Sequence, residues 1–340
     1  VHEYIAQADA HELLSAAQVV QYRRSILSDT LARDQASVAQ RCLVVTVVQS
    51  YAALVAAENK YKTLQQALEA ARDFVKTTEQ LEKGGEVAHA DVLKARIQFA
   101  DSEVAAENAQ LAQESARLTL ALLLFPDVNQ KFEAVDDLGR LLVLPSLEEA
   151  QTEAVRHNPS LDASRDSERL ASEGVTYAKT GYLPTLTFDY FYGIDANQFA
   201  ARTETKQGPI QNLGYSAMAT LNVPIWNWGA TQSKVRQAQF QKRQATMDRI
   251  FAQHKLTADL EQFYGEAKVA KSEMDIREAS AKDAEESLGL TLLRYKAGDT
   301  TALEVVTAQD TLSQERNAFE DARTRYATAL ANLSTLTGTL

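Results

Sequence analysis

"LRYKAGDTTALEVVTAQDTL", Leu293 to Leu312, breaks a helix-like pattern at Ala297-Gly298 and resumes it at once. "LEKGGEVAHADVLKARIQF", Leu81 to Phe99, does the same at Gly84-Gly85. Glycine supplies the backbone freedom that a reversing helix needs. At an offset of 213 residues, the separation of Gly85 and Gly298, Lys83 meets Lys296, Asp91 meets Glu304 and Val92 meets Val305. Farther out Leu43 meets Leu256, Tyr51 meets Tyr264, Leu120 meets Leu333 and Leu123 meets Leu336, with no gap from about residue 43 to about 125. The two Gly turns are one structural feature used twice, and each copy reads as a long helix, a tight turn and a returning helix.

The stripes on these helices have a coiled-coil period. The ascending helix of the second copy spaces Leu256, Leu260, Phe263, Ala267, Ala270, Met274, Ala281, Ala284, Leu288, Thr291 and Tyr295 mainly by fours and threes. Its descending helix repeats every seven at Val305, Leu312, Phe319, Tyr326, Leu333 and Leu340, and the first copy gives Ile97, Val104, Leu111, Leu118 and Phe125. Gln232 to Lys296 contains no proline, which allows about 65 residues of helix, ~100 Å at 1.5 Å per residue. Alanine-rich seams on helices that long offer little apolar area per turn, so an assembly of several chains is expected.

Composition agrees. The chain has 340 residues, 45% of them hydrophobic, with only 13 Gly and 6 Pro, against a loop-rich all-β fold. A net charge of −11 without a Lys/Arg block argues against a nucleic-acid partner. The lone cysteine, Cys42, lies in apolar "RCLVVTVV" and is expected to be a buried, inert thiol. No apolar run reaches the ~18 residues of a membrane-spanning helix, and Val1 is not a native start.

Between the copies the period changes to two, which means strand. In "YLPTLTFDYFYGI" (182–194), Leu186, Phe188, Tyr190 and Tyr192 oppose Thr185, Thr187 and Asp189. In "LGYSAMATLNVPI" (213–225), Leu221 and Val223 oppose Ser216, Thr220 and Asn222. Each run is close to the ~9–11 residues of a tilted transmembrane strand. The first sets are expected to face lipid and the second sets water, with Trp226 and Trp228 as interface anchors. Asp189 on the lipid side would be costly, so its side tests the register. The polar stretch between the runs suits an exposed loop. Residues 126–160 read as a connector lying beside the long helices, with a Ser146/Glu149 capping box opening a short helix that ends near "HNP". The resulting division is 1–125 (first repeat), 126–160 (connector) and 161–340 (second repeat: short helix, strands at about 183–194 and 213–225, long hairpin).

No catalytic set emerges. His2, His11, His89, His157 and His254 are scattered without ligand spacing, and there is no phosphate loop. No enzyme activity, metal or cofactor is expected. A soluble coiled-coil scaffold with a local hairpin is the alternative to a membrane duct. A lipid-surface amphipathic protein is disfavoured because the seams are narrow and the helices are interspersed with acids.

"RYKAGDTTALEVVTAQDTL" followed by "ARTRYATALANLSTLTG" resembles the second helical hairpin of the TolC-like outer-membrane efflux proteins, and "EKGGEVAHADVLKARIQF" resembles the first. "GYLPTLTF" and "LNVPIWNWG" resemble the ends of their barrel strands. The resemblance covers nearly the whole chain from about residue 20. It implies a mainly α fold with transmembrane strands: a homotrimer whose long hairpins form an α-barrel in the periplasm and whose strands form a shared β-barrel in the bacterial outer membrane. A periplasmic adaptor and an inner-membrane pump dock below, and the duct passes solutes passively. It assigns adaptor docking to Gly84, Gly85, Glu86, Val87, Gly298, Asp299 and Thr300. It assigns the aperture to Asp91, hydrogen-bonded by Tyr295, with Glu304 and Thr307 at positions where the family places ring carboxylates. The family has two strands per repeat. A backward shift of 213 puts the first pair at about −30 to 12, and "VHEYIAQADAHELL" reads as a helix or frayed start. The chain is therefore expected to be N-terminally truncated, and three copies of two strands fall below the eight of the smallest usual barrels.

Overall fold

The computed structural model describes residues 3–136, 138, 144–205 and 207–338. His2, Leu340 and most of 137–143 in the connector lie outside the described residues. The elements run β1 (Tyr4–Leu14), α1 (Ala16–Lys83), α2 (His89–Leu124), α3 (Leu147–His157), α4 (Pro159–Lys179), β2 (Thr185–Ala196), β3 (Arg202–Thr205), β4 (Gly208–Gln211), β5 (Leu213–Asn222), α5 (Ala230–Lys296) and α6 (Ala302–Thr337). Contacts divide the chain into two compact units, Val1–Ala36 with Ser160–Gln253 and Ser37–Pro159 with His254–Leu340. The units cut across the repeats, and α1 and α5 each contribute to both.

The first unit holds an antiparallel sheet in the order β1-β2-β5. β1 corrects the expected helix or frayed start: Tyr4–Leu14 is a strand. Its apolar row is Tyr4, Ala6, Ala8, Ala10 and Leu14, interrupted by Glu12. Alanine has weak strand propensity, and what holds β1 is its ladder to β2. Gly193 makes that ladder close. A Cβ there would stand 2.4 Å from the Ala6 carbonyl oxygen and 2.5 Å from Gln7 Cα. Between β2 and β5 the polar stretch contains the small β3–β4 hairpin, where Asn212 Nδ2 donates to the Ala200 carbonyl at 2.9 Å. Elsewhere in this unit Arg249 Nε meets Glu168 Oε2 at 2.6 Å, tying α5 to α4.

In the second unit the predicted second-copy stripes face inward. Leu256, Leu260, Ala267, Ala270, Ala284, Tyr295, Val305, Tyr326 and Leu333 are buried. On α2 the expected stripe is corrected: Ile97, Val104, Leu111 and Leu118 are exposed, Leu111 by 70%. α2 is apolar on two sides, and the side it buries carries Val92, Ala95, Ser102, Ala106, Leu120 and Ala121. Cys42 is exposed rather than buried. α1 also holds an 18-residue window of mean hydropathy 1.5, apolar enough by length and composition alone to cross a membrane although it is no unbroken apolar run.

The connector lies on the helices of this unit. Ala52, Val55, Leu138 and Ala327 form one cluster with Tyr51 and Ala134, and Tyr51 Oη donates to the Val135 carbonyl. Asp136 receives both arms of Arg323, one at 2.8 Å, and the Asn59 amide at 3.0 Å. α3 begins with the expected capping box: Glu149 N–H donates to Ser146 Oγ at 3.3 Å and Ser146 N–H to Glu149 Oε2 at 3.1 Å. Arg41 Nη1 donates to the His157 carbonyl at 3.0 Å and to that of Thr335 at 3.5 Å. One guanidinium thus serves the carbonyl-rich ends of α3 and α6.

Candidate functional sites at the turns, the aperture cluster and the sheet

Both Gly turns close with one hydrogen-bond pattern. Gly85 N–H donates to the Glu82 carbonyl and Glu86 N–H to that of Leu81, each at 2.9 Å. At the offset of 213, Gly298 N–H donates to Tyr295 at 3.0 Å and Asp299 N–H to Arg294 at 2.9 Å. This is the Schellman arrangement, which needs a left-handed residue. Gly85 has φ 76° and Gly298 φ 80°. Gly84 is different: its φ is not positive and a Cβ would meet only ordinary contacts at 3.4 Å, consistent with Ala297 at its counterpart. Gly84, Gly85, Glu86, Gly298 and Asp299 are exposed, and Val87 and Thr300 are half-buried. The first turn is clasped by His89 Nδ1 on Glu82 Oε1 at 2.7 Å, the second by Arg294 Nη2 donating to the Asp299 carbonyl at 3.3 Å.

One cluster draws the two turns together. Phe74 of α1, Ala95 of α2, Tyr295 of α5, and Ala302 and Val305 of α6 pack in one core that also takes in Val87. Phe74 and Tyr295 meet edge to face with centroids 5.2 Å apart. Burial pushes the Tyr295 phenol up, the nearby Thr78 hydroxyl pulls it partly back, and the Asp91 charge raises it again. Thr78 spends its proton on the Phe74 carbonyl at 2.8 Å, and no contact of hydrogen-bond geometry reaches Tyr295 Oη among the described residues. The hydrogen bond to Asp91 that the resemblance implied is not formed here; Asp91 pairs with Lys94 at 3.2 Å. Glu304 is exposed in the first turn of α6, 3.9 Å from Arg294. Thr307 Oγ1 donates to the Leu303 carbonyl at 2.9 Å and lines a groove with Ser287, Thr291, Glu304 and Thr311.

The sheet has two unlike faces. Its register pairs Thr185 with Asn222, Thr187 with Thr220, Leu186 with Leu221 and Tyr192 with Tyr215. Thr185, Thr187, Asp189, Ser216, Thr220 and Asn222 share one face, while Leu186, Phe188, Tyr190, Tyr192 and Leu221 share the other. Val223 follows beyond the end of β5. Asp189 is on the polar side, as its charge requires. β1 adds residues the sequence reading did not place: Gln7, Asp9, His11 and Leu13 fall on the polar face, and His11 Nδ1 meets Asp189 Oδ1 at 2.6 Å. Their signal was the alternation of Tyr4–Leu14, muted by its alanines. Phe188, Tyr190 and Tyr192 are all more than 40% exposed, so the described residues leave the apolar face largely uncovered. Trp226 and Trp228 follow, mostly exposed and 6.0 Å apart, with Trp228 at φ 55°.

Known proteins share this architecture. TolC of Vibrio cholerae is 26% identical over 320 residues, covering 91% of this chain and 70% of that protein. TolC of Escherichia coli is 25% identical over 315 residues, covering 88% of this chain but only 62% of its own length. The open-state outer membrane channel MtrE of Neisseria gonorrhoeae superposes with a TM-score of 0.80 at 15% identity, over 99% of this chain and 80% of that one. The family model for outer membrane efflux proteins matches residues 151–339, more than half of the sequence. With its duplicated hairpins and its two-faced sheet, the chain belongs to the outer membrane efflux protein family.

Proposed function

We propose that this outer-membrane exit channel works as a homotrimer, the passive duct of a tripartite export system that takes solutes from an inner-membrane pump through a periplasmic adaptor. The observation that carries this reading is the pair of exposed heptad stripes in the second unit. Ile97, Val104, Leu111 and Leu118 recur every seven residues on α2, and Val269, Ile276 and Leu290 keep the same period on α5. A monomer leaves both wet. A second copy presenting α5 to α2 covers one stripe of each chain, and because the two surfaces differ the contact is head to tail, so a closed ring of copies covers both stripes of every chain.

Within that ring the sheet's apolar face meets lipid, with Trp226 and Trp228 at the boundary, and its polar face lines the lumen. The two turns, brought together by the Phe74–Tyr295 core, receive the adaptor through Gly84, Gly85, Glu86, Val87, Gly298, Asp299 and Thr300. Asp91, Tyr295, Glu304 and Thr307 border the aperture, where copies of Glu304 around one axis attract cations.

Paired cysteines test the ring. Val104 and Ile276 stand at about the same height above their turns. Val104→Cys with Ile276→Cys, in a Cys42→Ser background, is expected to give a three-chain species on non-reducing gels after oxidation in membranes. Only monomer, with the double variant folded and membrane-bound, overturns the trimer.

A further inference from the structure

The polar face of the sheet is charged in one sense. Asp9, Asp189 and Asp195 lie on it, and among its described residues there is no lysine or arginine. One group there is able to become positive: His11, whose ring is 65% exposed. The register sets it directly opposite Asp189. An ionised carboxylate only accepts, so Nδ1 carries the proton in the 2.6 Å contact between them. In the sheet, among the described residues, β1 is hydrogen-bonded to β2 only. From β2 the ionisable group facing the imidazole is Asp189, with Thr187 and Phe191 beside it; on β1 itself Asp9 and Leu13 flank it on the same face.

We propose that His11 and Asp189 form a proton-dependent charge pair that sets how strongly the strand-lined part of the duct prefers cations. The proposal rests on the exit-channel reading, in which this face borders the lumen. A neutral imidazole orients the Asp189 carboxylate and leaves its charge in place. A protonated imidazolium cancels it, so one of the three acidic charges on this face is lost. Symmetry repeats the loss in every copy. Imidazole changes charge between about pH 5 and 8, where ordinary carboxylates stay ionised. Charges on a lumen wall act on passing ions within a Debye length, about 8 Å at physiological salt.

Reversal potentials of the full-length protein in planar bilayers under a KCl gradient test this. The potassium-over-chloride permeability ratio of the wild type is expected to fall about twofold from about pH 8 to about pH 5.5. His11→Gln should lose most of that fall, and Asp189→Asn should start from the lower ratio at pH 8 and respond little to acid. Wild-type trimer content in detergent and a wild-type gel shift of the unheated folded barrel show that each variant barrel is intact. An equal response to acid in wild type, His11→Gln and Asp189→Asn overturns the pair and assigns the titration to other histidines. A wild-type chain that conducts nothing overturns the exit-channel reading, and this proposal with it.

Discussion

α2 and α6 are both 36 residues long, both follow a Schellman turn, and they align without a gap, yet α6 buries twice as many residues as α2. Equivalent positions make the contrast sharp. Glu320 is buried on α6, while Glu107, its counterpart at the offset of 213, is exposed on α2. Duplication has preserved the backbone geometry of the hairpin and left each copy free to choose which face meets its own chain. α6 spends its apolar side inside the protomer. α2 keeps a full heptad stripe in water, available to another subunit.

The largest expected effect separates those uses. Tyr326→Ala removes a side chain that is 1% exposed within the Ala267–Leu330 core and should cost about 3–5 kcal/mol in denaturant unfolding. Leu111→Ala should change protomer stability by no more than about 0.5 kcal/mol while lowering the trimer fraction in light scattering. Equal losses of stability in both variants would erase the contrast.

A middle-sized effect is expected at the paired glutamates. Burial pushes the Glu320 carboxyl up, Asn59 and Arg323 pull it partly back, and the Asp136 charge adds to the rise. A carboxyl with a raised folded pKa favours folding most below the ordinary carboxylate range, and that contribution is lost as the pH rises through the folded value. Glu320→Gln should therefore stabilise the protein by about 1 kcal/mol at neutral pH, with the gain vanishing toward pH 4. Glu107→Gln, at an exposed position, should change stability by no more than about 0.5 kcal/mol at neutral pH. Asp136 has the opposite sign: the Arg323 hydrogen bonds hold it below the usual range, so its contribution is present at neutral pH and fades on strong acidification. Unfolding midpoints of the two Gln variants across that range check the signs.

The smallest effect tests what the copies share. Gly85→Ala and Gly298→Ala should each cost about 1 kcal/mol, because both residues are left-handed caps. Gly84→Ala should be nearly silent. Unequal costs at Gly85 and Gly298 would mean that the turns differ in more than sequence.

The turns and the strands β2 and β5 were legible because their signals are local, whereas the β3–β4 hairpin lies in a stretch that reads as a loop. A glycine at a fixed offset and a strict alternation of Thr or Asp with Leu, Phe or Tyr need no tertiary knowledge. Three features were not. β1 alternates, but three alanines and Glu12 leave its apolar row weak, and only the ladder to β2 decides it. α2 carries two apolar sides, and nothing local says which one the chain buries. The pairing of Asp136 with Arg323 joins positions 187 residues apart, beyond any periodicity. The aperture residues could be named by resemblance, yet the geometry beside Tyr295 follows from how Phe74 and Thr78 pack, which spacing does not encode.

Arg41 touches carbonyls at the ends of two helices that lie far apart along the chain. The short helix after the first repeat and the final helix of the second are therefore fastened by polar bonds as well as by packing, since Asn158 Nδ2 also donates to the Leu336 carbonyl at 3.2 Å. Alanine in place of Arg41 would leave both carbonyls without this shared donor. Loosening at that position would propagate to the join between the two repeats while leaving both hairpin turns closed.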